Sequence, residues 1–200
     1  MNDFSVTIKG RTLEYIDSEH IYLIDGVIVP SISQIVRAHF PDKYSGISAA
    51  VLHRAAKAGT EVHDAIERYC TQGETSDLPE VRNFRFLQAQ YRFTVTRNEV
   101  PVVLEYDGAP VAAGRFDMEL QMDGQYGGAD IKRTAQLDKD YLAYQLNLYR
   151  VACRQSYNVD WTFLRGIHLR GSTRRFVQIP INEDVTMAYL KTYLKGERNE

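Results

Sequence analysis

The chain has 200 residues, 44% hydrophobic and 25% charged, with 13 Gly and 6 Pro, a composition that excludes collagen-like and largely disordered states. Its 24 basic residues against 26 acidic ones, net −2, exclude a globally basic nucleic-acid coat but not a binding groove confined to one side. Two cysteines, Cys70 and Cys153, are too few for a disulfide framework, a four-cysteine zinc site or an iron–sulfur cluster.

No run approaches the ~18 apolar residues of a membrane span, and the opening MNDFSVTIKG has no apolar leader core. The expectation is a cytoplasmic chain without membrane association. From the N-terminus, Phe4 to Ile8, Leu13 to Ile16, Ile21 to Ile24 and Val27 to Val29 alternate and carry β-branched or aromatic residues. Asp25-Gly26 between the last two runs predicts a hairpin. Pro30 stops it, and Ser31 is placed to cap a short helix ending by Phe40, before Pro41. Gly46 to Cys70 is Ala-rich with helical period, with a break predicted near Gly59 and a new cap at Thr60. A further helix is predicted from Pro79 to about Thr94. The texture then changes to three strand-like runs, Val102 to Tyr106, Ala112 to Leu120 and Tyr126 to Lys132, separated by Asp107-Gly108 and Asp123-Gly124. A helix from about Asp138, strands over Thr162 to Leu169 and Arg175 to Ile179, and a last helix near Glu183 complete the order. Strands bracketed by helices predict an α/β or α+β fold.

The middle strands carry acids where a purely structural strand would not place them. In GRFDMEL, alternation predicts Phe116, Met118 and Leu120 on one face and Arg115, Asp117 and Glu119 on the other. In GGADIKRT, Asp130 and Lys132 share a face, and in PVVLEYDG, Glu105 lies opposite Leu104. If the strands are neighbours, Glu105, Asp117, Asp130 and Lys132 converge at one end of the sheet, where clustered carboxylates call for a cation such as Mg²⁺ or Mn²⁺. Each residue also has a plainer reading. The acids fit the solvated face of a one-sided sheet, His63 in GTEVH fits an ordinary helical histidine, and Gln145 and Tyr149, i and i+4 on one helix face, fit simple packing.

Taken in order, GTEVH (59–63), Glu105, GRFD (114–117), DIK (130–132) and QLNLY (145–149) resemble the PD-(D/E)XK nuclease superfamily, and within it the RecB-type exonucleases, including phage-encoded and mitochondrial genome-maintenance members. HIYLIDGVIVPSISQIV (20–36) is similar to the opening of many phage exonucleases of this group. The resemblance implies an αβββαβ core with extra helices: a single nuclease domain with an N-terminal β-hairpin and helix appendage (1–45), a catalytic core (46–182) and a C-terminal helix (183–200). It implies His63, Asp117, Asp130 and the Ile131 carbonyl as ligands to one or two Mg²⁺ or Mn²⁺ ions. Glu105 would be the acid of the first core strand, Asp130 and Lys132 the acid-x-lysine signature, and Gln145 and Tyr149 the helix pair that supports the lysine and the DNA strand. Relatives that bind an iron–sulfur centre carry four cysteines, so no cluster is expected here.

The activity implied is hydrolysis of DNA from its ends, in repair, recombination or phage replication, with a phage or host recombinase as a further partner. A structure-selective endonuclease and a non-catalytic DNA-binding or nuclease-inhibiting module are the alternatives. Lys132 would orient or deprotonate water, or neutralise charge; metal charge and carboxylates push its pKa in opposite directions. Arg165, Arg170, Arg174 and Arg175 lie in a stretch without acids and are candidates for phosphate contacts, or for charge protection of a hairpin edge. His53, Arg54 and Lys57 are a second cationic candidate. No G-x-S-x-G elbow and no phosphate-binding G-x-x-x-x-G-K-[ST] loop occurs.

Overall fold

Alternation in the opening residues yields more than one hairpin. In the computed structural model, which describes residues 3–197, strands β1 (Phe4–Ile8), β2 (Arg11–Ile16), β3 (Ile21–Ile24) and β4 (Val27–Val29) form a four-stranded antiparallel meander. Asp25 and Gly26 both take positive φ, 51° and 79°, as a tight hairpin turn requires. Ile8, Leu13, Tyr15, Tyr22 and Ile24 pack from this sheet onto Val103 and Ala113 of the second sheet.

Helix α1 (Ile32–His39) starts at Ser31 with a full capping box, Ser31 and Gln34 bonding reciprocally, and buries Ile32, Ile35 and Val36. The next helix departs from expectation. Helix α2 (Ala49–Gln72) runs unbroken through Gly59, and Thr60 does not cap: its Oγ1 donates to the Ala56 carbonyl inside the helix. The roughly 1 kcal/mol cost of an internal glycine is outweighed by burial of Val62, Ala65 and Ile66 in the second half. Gly73, left-handed at φ 71°, ends the helix as expected. Helix α3 (Pro79–Tyr91) stops at left-handed Arg92, earlier than expected, because Phe93 is drawn into the core.

The second sheet has the order β5 (Thr94–Tyr106), β6 (Ala109–Met122), β7 (Gln125–Lys132), β8 (Phe163–Arg170), β9 (Thr173–Ile179). Neighbours are antiparallel except β7 and β8, which are parallel and are joined by the crossover helix α4 (Lys139–Tyr157). Helix α5 (Glu183–Glu197) follows; the remainder of the helix expected over 183–200 lies outside the described residues. The molecule is thus α+β, with two sheets and five α-helices among the described residues. One core cluster joins the sheet to α1, α4 and α5 around Phe116, Leu142, Trp161 and Leu190. The other joins it to α2 and α3 around Ile66, Phe84, Met118 and Leu120. Gly127 and Gly128 make room for this packing: a Cβ on Gly128 would lie 2.2 Å from the Trp161 ring, and one on Gly127 2.3 Å from that of Phe163. Among the described residues no helix is long and apolar enough to cross a membrane.

The alternation expected through GRFDMEL does not hold. Phe116 joins the α4-side cluster while Met118 and Leu120 join the α2/α3-side cluster, so the faces exchange at Asp117. Glu119, expected beside Asp117, is instead buried on the α4 side. Arg97 binds it at 3.0 and 2.5 Å, Trp161 Nε1 at 3.0 Å and Thr96 Oγ1 at 2.8 Å.

Candidate metal centre

Strand register puts the candidate residues in place. Asn98 faces Met118 and Val100 faces Phe116, so Glu99 stands opposite Asp117. The β6–β7 ladder ends at the Met118–Ala129 rung. One residue further, the Asp117 side chain takes over from the backbone, and Oδ2 accepts the Ile131 N–H at 2.7 Å. The next acid, Asp130, is 2% exposed. Helix α2 brings in His63, whose Nε2 is 3.1 Å from the Ile131 carbonyl and whose Nδ1 is 3.5 Å from Asp117 Oδ2 and 3.9 Å from Glu99 Oε1. Lys132 Nζ lies 2.7 Å from Asp130 Oδ2, and Arg115 Nε 2.7 Å from Glu99 Oε2.

Burial and mutual repulsion set the electrostatics. Burial raises the Asp130 carboxyl, the Asp117 carboxylate raises it further, and Lys132 offsets them only in part, leaving a pKa of about 6. Asp117 is also raised, first by burial and then by Glu99, against the pull of His63. For His63, burial opposes the charge, but Asp117, Glu99 and Asp130 outweigh it and push the pKa up to about 9. Burial likewise opposes the Lys132 ammonium, and Asp130 and Asp117 more than compensate. Facing these carboxylates without an ion between them, Lys132 is a cation.

The donor set suits a hard divalent cation. One ligand atom from each of His63, Glu99 and Asp117 falls within 4.8 Å of the others. Two further oxygens, Asp130 Oδ2 and Gln145 Oε1, are buried without a hydrogen-bond donor in line, although Lys132 is close to the first. Buried acceptors that lack donors are costly unless a cation meets them. His63, Asp117, Asp130 and the Ile131 carbonyl would hold such an ion, with Glu99 beside them.

Tyr149 packs over β6 at Gly114, where an added Cβ would lie 2.9 Å from Tyr149 Cε1. Its hydroxyl is pushed well above the usual phenol range, first by burial and then by Tyr22, Asp117 and Asp130 among others. Tyr149, 4% exposed, thus approaches the acids from α4, and Gln145, 7% exposed, is buried one turn before it.

Glu105 does not join them. It faces Pro110 beside the Asp107-Gly108 turn, seven rungs from Asp117, or roughly 23 Å at about 3.3 Å per residue. Its side chain pairs with Arg11 at 3.3 Å. The acid at the site is Glu99, which sequence reasoning missed because TRNEVP combines polar residues with a proline and carries no strand pattern. Counting back from the Asp107-Gly108 turn would have found it, since that count sets residues 98–99 across from Asp117. The backbone at Glu99 is left-handed, φ 48°, a strain of roughly 1 kcal/mol of the kind kept where side-chain placement demands it. Glu99→Gln is therefore expected to weaken Mn²⁺ binding at least about tenfold, the scale of losing a charged group that supports the ligands. Glu105→Gln is expected to leave it unchanged. A calorimetric Mn²⁺ titration of both variants checks this, and the reverse ranking would restore Glu105.

The four arginines of the β8–β9 hairpin do not form one track. Arg165 and Arg174 lie against the aromatic residues of the α3 side, over Phe163, Phe176 and Phe86. Arg175 alternates to the other face, opposite His168, and Arg170 is exposed at the turn. His53, Arg54 and Lys57 fall on the first half of α2, which is largely solvent-exposed.

No family model matches the sequence, and no curated protein matches it. Among solved structures the chain is similar to the crystal structure of SSO0001, with a TM-score of 0.47 and 13% identity over 84% of this chain and 75% of that one. A likeness of that degree assigns neither family nor activity.

Proposed function

We propose that the chain is a metal-dependent nuclease that hydrolyses DNA from its ends, built on a PD-(D/E)XK core. The observation that carries this reading is the convergence of Asp117, Asp130 and Lys132 with His63 where β6 and β7 part. The succession of α2, β5, β6, β7, α4 and β8, with α3 inserted as an extra helix after α2, is compatible with the αβββαβ order. A bound Mg²⁺ or Mn²⁺ would supply charge for the phosphoryl group and acidify a water. The chain's own residues do the rest. The carboxylates hold a position that their mutual repulsion keeps receptive to a cation, and the Lys132 ammonium stands beside Asp130 to meet charge developing on phosphate oxygens. Tyr149 stands near the acids from α4, with Gln145 one turn before it on the same helix.

Degradation of end-labelled linear duplex, single-stranded and covalently closed circular DNA tests the reading, with Mg²⁺, Mn²⁺ or EDTA. Metal-dependent loss of linear DNA alone is expected. Nicking of circles would replace it with an endonuclease, and salt-sensitive binding without cleavage would replace it with a binding module.

The cluster also makes a prediction about stability. The folded Asp130 carboxyl has a pKa of about 6 against an ordinary 3.8, so in this window the folded state keeps a proton that the unfolded chain releases. The Asp130 contribution to metal-free stability therefore falls as pH rises from about 4 to about 6, and a bound cation would offset that loss. Melting in EDTA and in Mn²⁺ should show a larger metal-induced rise in Tm at pH 7.5 than at pH 5. An equal rise at both would mean that the cation does not relieve this repulsion.

A further inference from the structure

Positive charge is distributed unevenly over the molecule. Arg11, Arg68, Arg97, Arg133, Arg150 and Arg154 each pair with a carboxylate. Among the described residues Arg37, Arg54, Arg170 and Arg175 have no carboxylate partner either, but Arg82, Arg85 and Arg92, on and just after α3, and Arg165 and Arg174 of the adjoining hairpin are unpaired together on one face. The one acid of α3, Glu80, is 2% exposed and bound to Arg133 and the Gly171 N–H, so it does not neutralise the surface.

These cations are interleaved with rings instead. The Arg174 guanidinium sits 3.7 Å from the Phe86 centroid, Arg85 5.5 Å from Tyr69, and Arg165 5.5 Å from Phe176. Phe176 lies 4.6 Å from Tyr91. Phe86 and Tyr91 remain 45% and 39% exposed. A shallow groove runs along α3 between Tyr69, Arg82, Arg85, Phe86 and Gln88. Unpaired guanidinium groups beside exposed rings are the combination that takes a flexible polyanion with free base faces: phosphates meet the cations and bases stack on the rings. A duplex keeps its bases stacked internally and cannot use the rings.

We propose that the α3–β9 face binds single-stranded nucleic acid, with Phe86 and Tyr91 as stacking platforms and Arg82, Arg85, Arg92 and Arg174 on the phosphates. One end of this face meets the end of the sheet that carries Lys132. Asn83 Nδ2 donates to the Gly171 carbonyl at 2.8 Å, fixing α3 to the β8–β9 turn, and that turn lies at the end of the sheet where Lys132 faces His168. The proposal extends the nuclease reading and is tested apart from it.

The test uses Lys132→Ala protein in EDTA, with labelled oligothymidylate, oligouridylate and blunt duplex of about 20 nucleotides, followed by anisotropy over a range of salt. Adding Phe86→Ala should weaken oligothymidylate binding about tenfold and leave duplex binding as it was. Adding Arg82→Ala with Arg85→Ala should weaken it further and lower the salt slope by roughly 1.4, as expected for two lost phosphate contacts. Lys191→Ala on α5 is the control and should change nothing. Equal binding of oligouridylate supports the same surface without discrimination of the sugar. Unchanged single-strand affinity in the Phe86 and double-arginine variants, with melting curves like that of the parent, overturns the proposal. Cleavage by the wild-type chain is scored separately: its absence beside ring-dependent binding removes the nuclease reading and keeps this one, and the converse removes this one alone.

Discussion

Replacing Lys132 with alanine is expected to lower metal-dependent hydrolysis of linear DNA roughly 10³-fold, about 4 kcal/mol in the barrier. The ammonium is 2.7 Å from Asp130 and 23% exposed, so it belongs to the acid cluster yet remains open to a ligand. Its charge is favoured by Asp130 and Asp117 over the burial that opposes it. If it works as a fixed positive charge, as proposed, an arginine there should recover part of the lost rate while a methionine should not. The rate is read from release of end label at saturating Mn²⁺, with melting curves to show that the variants fold. Turnover within twofold of wild type for Lys132→Ala would sink the proposed mechanism.

The largest effect on stability is expected at Glu119, two residues along β6 from Asp117 but buried on the α4 side. Its carboxylate is 3% exposed and satisfied by Arg97, Trp161 and Thr96. Glu119→Ala leaves the buried Trp161 N–H and the half-buried Arg97 charge without a partner, at a cost of about 4 kcal/mol. For a domain of this size that corresponds to a fall in Tm of roughly 8–16 °C. Arg97→Met together with Glu119→Leu should recover most of the loss, because the penalty comes from the orphaned partner rather than from the pair itself. Burial works to raise the Glu119 pKa, but the bonds from Arg97, Trp161 and Thr96 lower it below the ordinary 4.5. The pair's contribution is thus present above that value and is lost as pH falls through the lower, folded one. Calorimetry of the single and double variants decides the matter; a cost under about 1 kcal/mol for Glu119→Ala would show that the bonds are replaced by water.

Much of this architecture was legible in the chain because turn chemistry and caps are local. Asp25-Gly26, Ser31, Gly73 and Asp138 each sit at the boundary their side chains or backbone freedom predict. The acid and lysine of DIK were legible for the same reason, since alternation within one strand sets Asp130 and Lys132 on one face. Three features were not. Helix α2 continues through Gly59 because tertiary burial outweighs a propensity that sequence alone weighs too heavily. The faces of β6 exchange at Asp117, which no periodic pattern foresees, and this put Glu119 on the wrong side. Glu99 was missed in favour of Glu105 because the stronger strand signal lay nearer the turn. In each case the deciding contact joins residues distant in sequence.

Ile131 stands between the acid and the lysine, and its side chain is buried in the α2/α3-side core. Its peptide groups do different work: the N–H goes to Asp117 and the carbonyl faces His63. Both contributions come from main chain that every amino acid except proline possesses. Valine or leucine could therefore stand at this position without altering the polar contacts, so a pattern written in residue letters leaves it blank. The blank nonetheless marks a working part: it is the joint at which a strand, its neighbour and a helix are held to one another.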